Sequence, residues 1–250
     1  MERLNKFLAQ AGIASRRKCD RLIAEGRVKI NGVVVTNPAT RVLENDLVLV
    51  DDVPVRDTSG PVYIMFHKPR GYITTLKDPH GRKTIAELIR DIPSRVFPVG
   101  RLDRESEGLL LLTNDGVLAY VFTHPRFQVE RRYLVYAKGQ VEKEELLRLR
   151  EGIVWRGEFY RIDSGRVLDV FRDCSVVEIT LTEGKKHEVR ILFDSIVHPV
   201  VRLVRMTMGP IVLDPELPPG KWRYLKREEE EKLRTYLAER REHEWGKGFS

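Results

Sequence analysis

The stretch PVGRLDRESEGLLLLTNDG, residues 98–116, joins a candidate functional residue to a candidate core strand. Its Asp103 lies between two arginines, and a run of four leucines follows at 109–112. Such a run is apolar enough to be buried on both faces, which predicts a central strand. Asn-Asp-Gly at 114–116 predicts a turn. The sequence therefore places a carboxylate flanked by cations on a loop that leads directly into the core.

Composition limits the class of protein. The chain has 250 residues, 42% hydrophobic and 32% charged residues, and a net charge of +7, which favours a polyanionic partner such as nucleic acid. No stretch approaches the roughly 18 apolar residues of a membrane helix, and the N-terminus lacks the apolar core of a signal peptide. Cys19 and Cys174 are far apart and fit no metal spacing. We expect a reduced, cytoplasmic protein without a metal site or a membrane partner.

The first part of the chain predicts a small unit of two helices and a hairpin over residues 1–56. An apolar stripe with helical spacing is formed by Leu4, Phe7, Leu8 and Ala11. Ser15 is a candidate N-cap for a second helix, and Asn-Gly at 31–32 is a strong hairpin signal. The polar, Pro- and Gly-containing residues that follow predict a linker at 57–61.

Residues 62–250 predict a larger second domain. Strands are expected at 62–66, 109–113, 133–137, 176–181 and 201–208. Helices are expected at 84–90, 116–122, 142–150, 186–195 and 228–241. Because a regular strand–helix–strand rhythm is missing and some strands have hairpin spacing, the fold class is α+β, with a mixed, largely antiparallel sheet and flanking helices.

Three cations, Arg16, Arg17 and Lys18, follow the expected N-cap, and Lys29 lies on the adjoining strand. A helix N-terminus favours phosphate, although such a cluster is also typical of a solvated helix end. The segment LNKFLAQAGIASRRKCDRLIAEGRVKINGVVV at 4–35 resembles the S4 domain, a small RNA-binding domain named after a ribosomal protein. The resemblance implies that these four cations face structured RNA, mainly through its phosphates and shape.

Taken alone, Asp103 leaves several roles open. A loop aspartate between arginines is most often a solvated ion pair of little energetic value. It could also be a metal ligand, a general base or a nucleophile. Cationic neighbours repel a metal ion and favour the ionised form of a carboxylate, which suits a nucleophile better than a general acid.

A resemblance spans nearly the whole chain in order. The matching segments are GRLD (100–103), GLLLLTNDG (108–116), HKPRGYITT (67–75), HP (124–125), RRYLVYAKG (131–139), LTEGKKHEVR (181–190), RLVRMTMGPIVLD (202–214) and PPGKWRYL (218–225). They resemble the RsuA-type pseudouridine synthases of ribosomal RNA, which also carry the S4 domain. One departure stands out: Lys186, His187 and Glu188 replace the Asn, Arg and Gln of the commoner EGKNRQVRRMF.

The resemblance implies an isomerase that converts a uridine of ribosomal RNA into pseudouridine, with no cofactor and no nucleotide. Asp103 matches the essential aspartate, and Tyr133 matches a tyrosine that stacks on the target base and serves as a base. Arg190 matches an arginine that pairs with the aspartate. Further RNA contacts are implied for Arg101, Arg104 and Lys185. The substrate is expected to be a structured stem-loop with a flipped uridine, in large-subunit RNA rather than small-subunit RNA, and the enzyme a monomer.

Other interpretations of these residues exist. Tyr133 in an alternating strand is by default a core residue, and an arginine such as Arg190 is by default a surface residue. A non-catalytic RNA-binding ribosome assembly factor is the alternative function, and the intact Asp103, Tyr133 and Arg190 argue against it. Tyr133 lies 30 residues after Asp103, and Arg190 lies 57 residues after Tyr133. The catalytic interpretation therefore predicts that folding joins the three side chains in one basic cleft.

Overall fold

The computed structural model describes residues 1–43, 46–55 and 60–245. The chain divides into two compact units, one of Met1–Val62 with Pro93–Val96, and one of Tyr63–Ile92 with the chain from Phe97 onward. Of the expected linker at 57–61, residues 57–59 lie outside the described residues. The domain boundaries 1–56 and 62–250 stay predictions.

The first unit contains the two expected helices and short strands. Its elements are β1 (Glu2–Arg3), α1 (Leu4–Gln10), α2 (Arg16–Ala24), β2 (Val28–Ile30), β3 (Val33–Val34), β4 (Arg41–Val42), β5 (Val48–Val50) and β6 (Val53–Pro54). β1 pairs with β4, and the other strands form a sheet in the order β3-β2-β5-β6. The Ser15 side chain accepts a hydrogen bond from the Lys18 N–H, which confirms the predicted N-cap.

The second unit is built on a sheet of nine strands in the described part of the chain. Its elements are β7 (Tyr63–Lys68), β8 (Phe97–Pro98), β9 (Glu107–Thr113), α3 (Gly116–Thr123), β10 (Arg131–Lys138), α4 (Lys143–Glu151), β11 (Ile153–Trp155), β12 (Glu158–Tyr160), β13 (Ser164–Val170), β14 (Cys174–Leu181), α5 (Glu188–Ser195), β15 (Val200–Met208), β16 (Ile211–Val212), β17 (Trp222–Tyr224) and α6 (Arg227–Trp245). The main strand order is β13-β14-β10-β15-β9-β7-β17, while β16 pairs with β15 and β8 with β9. Only the β15–β9 pairing is parallel among the strand pairs of the described residues, so the mixed, largely antiparallel sheet is confirmed.

Most predicted elements of this unit are present, with one clear error. The helix predicted at 84–90 is wrong, because the structure forms only a single 3-10 turn, Ile85–Glu87. Thr84 and Glu87 cap each other and complete that turn. The chain then leaves the helical path, and Ile89 and Ile92 are both buried. Tertiary burial therefore decides the local conformation over helix propensity.

Strand β9 is the centre of the core, and all of its residues are buried. At its start, Gly108 pairs with Arg205 of β15. Gly108 has a φ of +107°, and a Cβ there would lie 2.4 Å from the Arg205 carbonyl oxygen. Only glycine allows both this backbone conformation and this close approach of two strands.

We predict that Gly108→Ala lowers the free energy of unfolding by about 2–5 kcal/mol, through backbone strain and overpacking. Chemical denaturation followed by circular dichroism measures the change. Gly157→Ala is the matched control, because Gly157 has a φ of +83° but open space around its Cα. Strain alone should then cost about 1 kcal/mol. Equal losses for the two variants would contradict the role of the close approach.

Candidate active site

The loop that carries Asp103 is held by a buried lysine. Lys68, the last residue of β7, is fully buried. Its ammonium donates hydrogen bonds to the carbonyl oxygens of Pro69 (3.0 Å), Asp103 (3.1 Å) and Ser106 (2.8 Å). Burial lowers the pKa of Lys68 to about 8, so the group is still largely protonated at neutral pH. One cation therefore fixes the backbone at Asp103 and three residues beyond it.

Two further interactions hold the same loop. The Thr74 hydroxyl donates to the Leu102 carbonyl at 2.7 Å and accepts from the Leu102 N–H at 3.2 Å. The Gly71 N–H donates to the Arg104 carbonyl at 2.7 Å. The backbone on both sides of Asp103 is thus bonded to the segment that follows β7, and the Asp103 carboxylate takes no part in these bonds. Its side chain is 41% exposed.

The three predicted catalytic side chains line the same cavity. This cavity has a volume of about 260 Å³ and includes Asp103, Tyr133 and Arg190 in its wall. Cationic side chains in the wall are Arg101, Lys185, Lys186 and Arg190. The structure therefore brings together three residues that the sequence separates, in a cleft whose wall holds these four cations and the carboxylates of Asp103, Glu183 and Glu188.

Tyr133 lies on β10 and is only 8% exposed. In the sheet it is paired with Ile179 of β14 on one side and with Arg205 of β15 on the other. Its side chain also lines a second cavity of about 460 Å³, which shares Arg101 with the first. Tyr133 is thus a strand residue in the core and a wall residue of the site at the same time.

Arg190 lies on α5 and does not pair with Asp103 as expected. Its guanidinium donates to the backbone carbonyls of Val200 (3.0 Å) and Glu105 (3.3 Å). Within the described residues, the side chain that approaches the Asp103 carboxylate is His187, whose Nε2 lies 3.9 Å from Asp103 Oδ1. The bond to the Glu105 carbonyl therefore lets the arginine hold the loop through its backbone and not through the Asp103 carboxylate.

The cations predicted to contact RNA near the cavity differ in their surroundings. Arg101 is exposed, lines both cavities and has no ion-pair partner among the described residues. Arg104 is exposed and lies 3.8 Å from the Glu105 carboxylate. Lys185 is half-buried and pairs with Glu183 at 2.6 Å. Arg101 is therefore the cation of this group whose charge is least neutralised by the protein.

The predicted cations of the first unit also differ from one another. Arg16, Arg17 and Lys18 are exposed at the start of α2, and no carboxylate pairs with them in the part of the chain that the structure describes. Lys29 instead pairs with Asp52 at 2.5 Å. The three helix residues therefore offer unpaired positive charge beside a helix N-terminus.

Some residues of the site were not singled out from the sequence. Lys68 and Thr74 lie in a matching segment, but no spacing rule marks them as anchors of the loop. Glu188 is buried in the wall of the first cavity, and one of its oxygens accepts from the Lys185 N–H at 3.0 Å. Burial raises the pKa of Glu188 to about 7. Glu188 was noted only as a departure from the commoner motif, and its burial shows that it belongs to the site.

Metal-binding clusters and membrane helices are not found in the ranges that the structure describes. These residues contain no group of three or more His, Cys, Asp or Glu side chains arranged to hold a metal ion. None of the helices in the described ranges has the length and apolar composition required to cross a membrane.

Comparison with known proteins identifies both parts of the chain. Residues 62–195 match the family model described as RNA pseudouridylate synthase, and residues 2–48 match the S4 domain. A protein of Aquifex aeolicus named as an uncharacterized RNA pseudouridine synthase is 48% identical over 91% of each chain. The ribosomal large subunit pseudouridine synthase B of Bacillus subtilis is 40% identical, over 82% of this chain and 84% of that protein.

A solved structure agrees with these sequence matches. A crystal structure of a pseudouridylate synthase aligns with a TM-score of 0.64 and 31% identity, over 93% of this chain and all of that chain. The fold, the cavity and the sequence relatives point to the same class of enzyme. This chain therefore belongs to the RNA pseudouridine synthase family and carries an S4 domain in its N-terminal part.

Proposed function

We propose that this enzyme converts a uridine of ribosomal RNA into pseudouridine, with Asp103, Tyr133 and Arg190 in the catalytic site. The observation that carries the proposal is that these three side chains line one cavity. Large-subunit RNA is the proposed substrate, since a relative that is 40% identical is named for that subunit. The enzyme is proposed to act as a monomer on a structured stem-loop.

The reaction needs no external reactant. The bond between N1 of the base and C1′ of the ribose breaks, the base turns, and a bond forms between C5 and C1′. The proton on C5 is lost and N1 gains one, so atoms and electrons balance without a redox cofactor. A base inside a helix is inaccessible to side chains, so the target nucleotide has to be flipped out at a cost of a few kcal/mol.

Each residue has a proposed task in this site. The Asp103 carboxylate attacks the flipped nucleotide, and the partly exposed position of its side chain gives the nucleotide access. The Tyr133 ring stacks on the base, an interaction worth about 1–3 kcal/mol, and its hydroxyl takes the C5 proton. Arg190 holds the loop through the Glu105 carbonyl and adds positive charge to the wall of the same cavity.

RNA recognition is proposed to use cations of both units. Arg16, Arg17, Lys18 and Lys29 of an S4-like domain at 1–56 would bind phosphates of the stem. At the cavity, Arg101, Arg104 and Lys185 would contact the flipped nucleotide and its neighbours. Phosphate contacts position the RNA and give salt-dependent affinity, while the shape of the stem-loop supplies most of the selectivity.

We predict that Asp103→Asn abolishes isomerisation, with a rate at least about 10³-fold lower, while RNA affinity stays within about twofold. The side chain keeps its shape but loses its charge and nucleophilicity. Release of tritium from C5 of labelled uridine in ribosomal RNA transcripts measures the rate, and filter binding measures the affinity.

Glu105→Gln is the matched control for that prediction. Glu105 lies on the same loop, and its carboxylate pairs with Arg70 at 2.7 Å outside the first cavity. This variant should retain nearly full activity. Tritium release by Asp103→Asn at the wild-type rate would contradict the role of Asp103.

We also predict that Arg16→Ala with Arg17→Ala weakens binding of a ribosomal RNA stem-loop and reduces its salt dependence. The slope of log K against log salt should fall in magnitude by about 0.7–0.9 for each phosphate that the variant no longer binds. Lys6→Ala, which removes a cation paired with Glu2 at 3.5 Å, is the control and should leave the slope unchanged. An unchanged slope in the double variant would mean that the start of α2 does not bind phosphate.

A further inference from the structure

A buried arginine beside the active site has no carboxylate partner. Arg205 of β15 is 2% exposed, and none of the ion pairs of the described residues includes it. A buried charge without an opposite charge costs several kcal/mol, and replacing such charges by apolar residues of similar volume is often neutral or stabilising. Stability alone therefore does not account for an arginine at this position.

Arg205 lies where three strands meet. It is paired with Tyr133 of β10 on one side and with Gly108 of β9 on the other. Its Nε donates to the carbonyl oxygen of Leu109 at 2.7 Å. Because β9 begins directly after the Asp103 loop, this bond ties Arg205 to the strand that follows the aspartate.

The Arg205 side chain lies beside the Tyr133 side chain, because the two residues are direct cross-strand partners and both line the second cavity. Burial lowers the pKa of the Arg205 guanidinium. The Arg205 Nη2 has no hydrogen-bond partner among the described residues, and Arg205 forms part of the wall of the second cavity together with Tyr133. The side chain therefore lies beside the tyrosine and donates to the backbone of β9.

We propose that Arg205 is a positioning residue for the isomerisation: it fixes the Tyr133 hydroxyl relative to the strand that follows Asp103. This inference rests on the proposed function, in which Tyr133 removes the C5 proton. A phenol has freedom about its side-chain bonds, and proton transfer requires it within hydrogen-bond reach of the reacting carbon. A rigid guanidinium that is bonded to the β9 backbone and lies beside Tyr133 supplies that constraint.

The test measures single-turnover rates and RNA affinity for the wild type, Arg205→Met and Arg205→Lys, each with Tyr133 and with Tyr133→Phe. Tritium release from a ribosomal RNA transcript gives the rate, and thermal unfolding gives the stability. We expect Arg205→Met to unfold within a few degrees of the wild type and to bind RNA within about twofold. Its rate should fall by about 10- to 100-fold.

The double variants separate positioning from a structural role. If Arg205 acts through the Tyr133 hydroxyl, Arg205→Met should change the rate by less than about threefold once Tyr133→Phe is present. The proposal would be overturned if Arg205→Met lowered the rate by the same factor with and without the Tyr133 hydroxyl. It would also be overturned if the rate of the Arg205→Met single variant stayed within about threefold of the wild-type rate. If Arg205→Met does not fold, Arg205→Lys completes the same comparison, because it keeps a positive charge but lacks the planar, multi-donor guanidinium.

Two controls complete the design. Arg223 is a largely buried arginine of β17 that pairs with Asp214 and Glu229, and it lines neither cavity at the active site. Arg223→Met should lower the unfolding temperature without lowering the single-turnover rate. A wild type that releases no tritium from any transcript would overturn the proposed function, and the Arg205 inference with it. If the wild type is active but Arg205→Met lowers the rate by the same factor with Tyr133 and with Tyr133→Phe, the Arg205 inference alone is overturned.

Discussion

The hydrogen bonds of the Lys68 ammonium are the interaction on which the site depends. A buried ammonium needs acceptors for its three protons, and the structure supplies three backbone carbonyls from the chain around Asp103 and from the residue after Lys68. Because two of these acceptors belong to the loop, satisfying the lysine fixes the path of the chain at the proposed catalytic aspartate. The core sheet thereby sets the position of the partly exposed Asp103 side chain.

The elements that could be predicted from the sequence are those whose signals are local. The leucine run at 109–112 indicated the central strand, and Ser15 indicated the cap of α2, because apolar run length and capping chemistry act over a few residues. The helix predicted at 84–90 was wrong, since the chain leaves the helical path after a single 3-10 turn and buries Ile89 and Ile92. Strand β13, which is largely exposed at the end of the sheet order, has no apolar alternation to mark it.

In the site, too, the residues marked by local motifs could be predicted from the sequence, whereas their partners in the folded chain could not. Motif order identified Asp103, Tyr133 and Arg190, and the structure brings them to one cavity. The partners of those residues were not predictable from spacing, because they are mostly backbone carbonyls whose positions exist only in the folded sheet. Arg190 was expected to pair with the carboxylate of Asp103, but it bonds to the carbonyls of Val200 and Glu105. His187 approaches the carboxylate in its place.

Lys68 and Arg205 both carry a buried positive charge that needs hydrogen-bond acceptors, and both find them in backbone carbonyls. Each is a cation buried without a carboxylate partner among the described residues, and each donates to backbone carbonyls of the Asp103 loop or of the strand that follows it. A carboxylate partner would neutralise the cation and reduce the positive field in the cleft, whereas a carbonyl satisfies the donor and leaves the charge. An enzyme that has to attract a polyanion gains from cations held in this manner. Burying them costs free energy, and the apolar residues of β9, all of them buried, contribute to offsetting that cost.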